Sequence, residues 1–103
     1  MDLDRKLRIF AGAAHGCKSF TGPTTVMVDI CNRCNYRCSL CWYHSPSLAG
    51  RTTEWKRRIL EETDALHLLD GLCAMRVREI QFAGEGEPFL HPTFMSIVRA
   101  VKE

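Results

Sequence analysis

Apolar residues recur along this chain at two different periods. Leu3, Leu7, Phe10, Ala11 and Ala14 keep a helical spacing, with Asp2 placed to cap the start and Gly16 to end it. Residues 17–23 are small and polar and close on Gly22-Pro23, which predicts a loop. Residues 24–30 are β-branched and apolar and predict a buried strand. Residues 42–52, with Pro46 and Gly50, read as irregular. Trp55, Ile59 and Leu60 suggest a short helix. Leu66, Leu69, Leu72 and Cys73 predict a longer one over about 62–75, weakened by Gly71 in its interior. A second strand follows at 77–83, then the turn Gly84-Glu85-Gly86-Glu87-Pro88. Pro92 suits the first turn of a last helix, whose apolar stripe is Phe94, Ile97, Val98 and Val101.

Helix, strand, loop, helix, strand, loop, helix is the order of an α/β chain. Strands that alternate with helices pair in parallel through right-handed crossovers. Two loops of unusual composition, one after each strand, then leave the sheet at the same end. Ligands of parallel α/β folds bind at that end.

Length and composition narrow the class without deciding it. The 103 residues allow one domain with a modest core. Hydrophobic residues at 46% and charged residues at 25% are ordinary for a globular protein. A net charge of +2, from 14 basic and 12 acidic residues, argues for neither nucleic acid nor an anionic membrane as partner. No apolar run is long enough to span a bilayer, and Ile9 to Ala14 is too short for a signal-peptide core. The expected compartment is therefore the cytoplasm. In that reducing setting the six cysteines are metal ligands or free thiols rather than disulfides. Cys73, among Leu69, Leu72 and Met75, reads as core packing, and Cys17 has no motif around it.

The loop after the first strand carries Cys31, Cys34, Cys38 and Cys41, four thiols in eleven residues. So dense a group points to one metal centre. Four ligands would close an iron–sulfur cluster, and three would leave one iron open. Zinc also takes four cysteines, but its ligand pairs usually stand further apart than Cys34 and Cys38. A redox C-x-x-C pair at Cys31/Cys34 or Cys38/Cys41 leaves the other pair unexplained. The bacterial ferredoxin order, C-x2-C-x2-C-x3-C-P, is not the C-x2-C-x3-C-x2-C found here.

Cys34, Cys38 and Cys41 are spaced C-x3-C-x2-C within Asn32-Arg33-Cys34-Asn35-Tyr36-Arg37-Cys38. With Glu85-Gly86-Glu87-Pro88 after the second strand, this resembles the radical S-adenosylmethionine (radical SAM) enzymes. The resemblance covers roughly residues 24–103. It implies the first two βα units of a parallel, partial TIM-type (βα)6 barrel, preceded by an N-terminal helix and lead-in loop over 1–23. It implies that Cys34, Cys38 and Cys41 hold a [4Fe–4S] cluster and that the methionyl end of S-adenosylmethionine chelates the fourth iron. Reductive cleavage would give a 5′-deoxyadenosyl radical that takes hydrogen from a substrate. By the same resemblance, backbone carbonyls of Glu85, Gly86 and Glu87, oriented by Pro88, accept from the methionyl ammonium, and the Leu40 backbone approaches adenine. Alternatively, the Glu87 carboxylate braces the turn. The implied partner is an electron donor such as flavodoxin or ferredoxin. No residue of the chain is assigned as catalytic.

Three positions depart from the family pattern. Glu85 takes the place of a glycine, Leu40 that of a frequent aromatic, and Cys31 that of a Thr or Ser. Cys31 reads as a small strand residue, because a fourth thiolate would shut the nucleotide out. Trp42, Tyr43 and His44 read as an aromatic patch packed on neighbouring helices, and His91 as a structural cap. Six βα units need roughly 190 residues by scaling from eight-unit barrels. The expectation is thus the N-terminal part of an enzyme, able to hold a cluster but not to turn over substrate alone. Two other classes stay open: a non-catalytic iron–sulfur carrier or sensor with Cys31 as fourth ligand, and a small zinc interaction module.

Overall fold

The computed structural model describes residues 2–102. Helices α1 (Leu3–Ala14), α2 (Thr53–Arg57), α3 (Glu62–Ala74) and α4 (Phe94–Lys102) accompany strands β1 (Thr25–Val28) and β2 (Glu79–Phe82). A 3-10 turn, Pro88–Leu90, precedes α4. The strands pair in parallel, Thr25 with Glu79 through Val28 with Phe82. α3 makes the crossover between them. Both odd loops therefore leave the sheet at its C-terminal edge.

Period-two alternation fixes which side of the sheet is dry. Val26, Val28, Ile80 and Phe82 pack with the helices, while Thr25, Met27, Glu79 and Gln81 stay exposed on the other face. The run 24–30 was expected to form a buried strand, but only one face of β1 is covered by helices. Ile30 and Ile97 are the most deeply buried side chains, and Ala65, Leu69, Leu72 and Phe94 close around them. Phe94 meets Phe82 and Phe89 edge-on, with centroids 5.5 and 4.9 Å apart. Residues Ala65, Leu69 and Leu72 make one helical stripe of α3. Cys73 falls to the side of that stripe and is exposed, contrary to the core role its neighbours suggested.

α1 has the predicted bounds, and Asp2 caps it through Oδ1, which accepts the Arg5 N–H at 2.8 Å. Its apolar stripe nevertheless faces water, with Leu3, Leu7 and Phe10 all exposed. Arg5 anchors the helix instead. Its guanidinium donates to the Gly22 carbonyl at 2.7 Å and the Arg76 carbonyl at 3.3 Å. These contacts wall a cavity of about 520 Å³ at the N-terminal ends of the strands, away from both motif loops.

The short helix expected around Trp55, Ile59 and Leu60 stops at Arg57. Ile59 is extended and bridges Cys31 antiparallel. Leu60 N–H donates to the Ile30 carbonyl at 2.9 Å. The backbone groups of the chain leaving β1 need partners, and the stretch 58–60 supplies them.

Candidate metal centre

The cysteine loop begins where β1 ends, and its first residues are held on both sides. Asn32 N–H donates to the Arg58 carbonyl at 3.0 Å, and the Asn32 side-chain amide donates to the Trp55 carbonyl at 3.0 Å. On the other side, Glu87 N–H donates to the Arg33 carbonyl at 2.7 Å. Gly86 lies so close to this loop that a Cβ there would overlap the Cys31 and Arg33 carbonyl oxygens. Glycine is required at 86 for the turn to meet the loop's own backbone, a reason distinct from close approach to a ligand. Asp29 adds a third link. Its Oδ1 accepts the Cys31 N–H at 3.3 Å, and its Oδ2 accepts the Glu85 N–H at 3.0 Å.

Beyond Arg33 the loop has mainly local contacts. Cys34 Sγ accepts the Tyr36 N–H at 3.4 Å, and Cys41 Sγ accepts the His44 N–H at 3.3 Å. Ser45 is buried, and its hydroxyl donates to the Ser39 carbonyl at 2.9 Å while accepting from Ser47 N–H at 3.1 Å. Cys34 and Cys41 are half-buried and Cys38 is exposed. Among the described residues, no three His, Cys, Asp or Glu side chains stand close enough to hold a metal ion. Cys34, Cys38 and Cys41 thus share one loop without converging.

Cys31 differs from the other three thiols. It is buried, and its Sγ donates to the Arg33 carbonyl at 3.8 Å. Burial pushes the thiol above its ordinary value, so it is neutral at pH 7. A metal takes the thiolate, and Cys31 is poorly prepared to become one.

The turn after β2 is also built by its sequence. Glu87 is extended before Pro88, as a pre-proline residue should be. Its carboxylate accepts the Phe89 N–H at 3.2 Å and so braces the turn. The Glu87 carbonyl already accepts from Leu90 N–H at 2.9 Å. The Glu85 and Gly86 carbonyls take no hydrogen bond among the described residues. Of the three candidate ammonium acceptors, two therefore remain free. Leu40, at the loop's tip, is almost wholly exposed.

The aromatic residues after the loop divide. Trp42 is exposed, whereas Tyr43 stacks on Trp55 at 5.4 Å between centroids and His44 lies beside the same ring. Arg51 covers both Tyr43 and Trp55. Hydrogen bonding toward the Glu85 carboxylate, and that carboxylate's charge, push the Tyr43 phenol above its ordinary value. His91 is buried and structural. Its Nδ1 accepts from Thr93 N–H at 3.2 Å, which leaves Nε2 to donate to the Leu60 carbonyl at 2.7 Å.

The sequence also held a signal that the overall charge concealed. Residues 31–58 contain Arg33, Arg37, Arg51, Lys56, Arg57 and Arg58 against the single acid Glu54. A thiolate-ligated cluster is anionic, and cations gathered around its loop offset that charge. The donors fit such a group: three thiols outside any disulfide, two of them already accepting backbone N–H bonds.

No protein-family model matches the chain, and no solved structure matches it. Over 77 residues, 75% of its length, it is 35% identical to GTP 3′,8-cyclase from Chlorobaculum tepidum. The match covers 21% of that enzyme, so the chain spans about a fifth of the length of this curated relative. At the level of family alone, this partial likeness supports the radical SAM resemblance carried by the cysteine loop and the Gly-Glu-Pro turn.

Proposed function

We propose that the chain is the N-terminal part of a radical SAM core, with Cys34, Cys38 and Cys41 as the protein ligands of a [4Fe–4S] cluster. One observation carries the reading: parallel pairing of β1 and β2 brings the cysteine loop and the Gly-Glu-Pro turn into contact, joined by the Glu87–Arg33 hydrogen bond of 2.7 Å. When bound, the reduced cluster supplies the electron that cleaves S-adenosylmethionine to methionine and a 5′-deoxyadenosyl radical, which takes hydrogen from a substrate.

The chain's own residues bind and orient. The carbonyls of Glu85 and Gly86 accept from the methionyl ammonium, a group that offers only donors. Tyr36 and His44 backbone N–H groups lower the charge on two of the sulfurs. Leu40 offers apolar cover for a base. The exposed face of β1 and β2, and the free edge of β2, would be covered by further βα units of a barrel. An electron donor such as flavodoxin or ferredoxin completes the scheme, and its site of action is the cytoplasm.

A carrier or sensor with a fourth thiolate is the weaker reading, because Cys31 is buried, neutral and already bonded to the Arg33 carbonyl. Anaerobic reconstitution followed by iron, sulfide and zinc analysis separates the classes. Wild type and Cys31→Ala are expected to hold about four iron and four sulfide per chain, and Cys34→Ala, Cys38→Ala and Cys41→Ala to hold far less. Loss of the cluster in Cys31→Ala, or zinc without sulfide in the wild type, would overturn the proposal.

A further inference from the structure

Asp29 stands outside both motifs, yet its carboxylate touches each. Oδ1 accepts the N–H of Cys31, which opens the cysteine loop, at 3.3 Å. Oδ2 accepts the N–H of Glu85, which opens the Gly-Glu-Pro turn, at 3.0 Å. One rigid, planar group thereby fixes the spacing of two loops that lie 56 residues apart in sequence. Only a carboxylate has two acceptor atoms and no donor to set against those two N–H groups. An asparagine keeps one acceptor and turns an amide N–H toward the other site.

The opposite wall of this contact is built to admit the side chain. Gly84 has φ +152°, a conformation that side chains rarely adopt, and a Cβ there would overlap the Asp29 carboxyl group. Two residues on two strands' ends are thus shaped for one contact. Asp29 follows β1 directly, and Gly84 lies two residues beyond the end of β2.

We propose that Asp29 is a positioning residue, whose carboxylate holds the metal-binding loop and the ammonium-binding turn at the separation S-adenosylmethionine requires. The inference rests on the proposed function for its ligand, but the contact itself does not. Glu85 and Gly86 supply the free carbonyls, and Cys34 follows Cys31 by three residues. Releasing Asp29 leaves the three ligand thiols in place and lets the turn move relative to them. The nucleotide should then lose affinity while the cluster stays.

Amide hydrogen exchange on the metal-free chain tests the contact. In Asp29→Ala, the Cys31 and Glu85 amides should exchange about tenfold faster, as expected for a lost charge-assisted hydrogen bond. Asp29→Asn should free one of the two amides and not the other. Gly84→Ala, which reaches the contact from the other side, should mimic Asp29→Ala. On the reconstituted chain, iron and sulfide should match wild type in Asp29→Ala, while S-adenosylmethionine, titrated by its effect on the spectrum of the reduced cluster, should bind about tenfold more weakly, with Asp29→Asn in between. Unchanged exchange at both amides would overturn the proposal. Iron falling in step with affinity would also overturn it, since that marks general collapse rather than positioning. If wild-type spectra ignore the nucleotide, the proposed function fails, and the exchange data still decide whether Asp29 joins the loops.

Discussion

The two halves of the cysteine loop are built in opposite ways. Residues 29–33 are pinned by β1, by the extended stretch 58–60 and by the Gly-Glu-Pro turn, through contacts that span tens of residues. Residues 34–45 bond mainly within themselves, through Tyr36, His44 and Ser45, and reach outward at their end, where Tyr43 and His44 rest against Trp55. The first half contains the buried cysteine, and the second contains the three accessible ones. A frame formed by the fold is thus followed by an arm left to its own turns. On the proposed function, metal binding would supply the ordering energy of the arm, as it does wherever ligands converge only in the loaded state.

The frame breaks most severely at Gly86. Alanine there drives a Cβ into the Cys31 and Arg33 carbonyls, which are backbone and cannot swing away. Gly86→Ala is expected to destabilise the metal-free chain by about 3 kcal/mol, read from the midpoint of a urea unfolding curve. A shift within ~0.5 kcal/mol would mean that the turn does not press on the loop.

Loading the metal sharpens the contrast between the halves. Limited proteolysis of the metal-free chain should cut first within 34–42, where several residues are exposed and the hydrogen bonds are local. Reconstitution should protect that arm while leaving the pattern over 29–33 unchanged. Equal protection of both halves would erase the distinction.

The smallest effect lies far from the site, at α1. The Arg5 N–H hydrogen bond, with help from Arg78, holds the Asp2 carboxyl below its ordinary value of 3.8. A depressed folded value stabilises the cap above that ordinary value, and the contribution disappears as pH falls through the lower folded one. The Arg5 amide resonance should follow this acid transition in wild type and stay flat in Asp2→Asn. The loop amides should give the same profile in wild type and in Asp2→Asn.

Much of this architecture was legible in the sequence. Asp2 and Gly16 bounded α1, the β-branched run at 24–30 contained β1, and the alternation of strands with helices gave the parallel pairing. Helix–strand order is local information, and local signals were strong. What escaped depended on partners distant in sequence. The stripe of Leu3, Leu7 and Phe10 looked fit for a core, but whether it finds one depends on what stands opposite. Ile59 and Leu60 had helical neighbours, yet the open backbone of Ile30 and Cys31 drew them into an extended pairing. Likewise, no local pattern announced Asp29 or Ser45, since each acts through hydrogen bonds to backbone elsewhere. At the site, the C-x3-C-x2-C spacing named the candidate thiols, and the burial of Cys31 explains why the fourth stands apart.

The central claim is a metal centre with three thiolate anchors and one open iron. Electron paramagnetic resonance of the reduced, reconstituted chain tests it most directly, recorded before and after adding S-adenosylmethionine. The account predicts a reduced-cluster signal whose g-values shift when the nucleotide is added. A signal identical with and without nucleotide would contradict it.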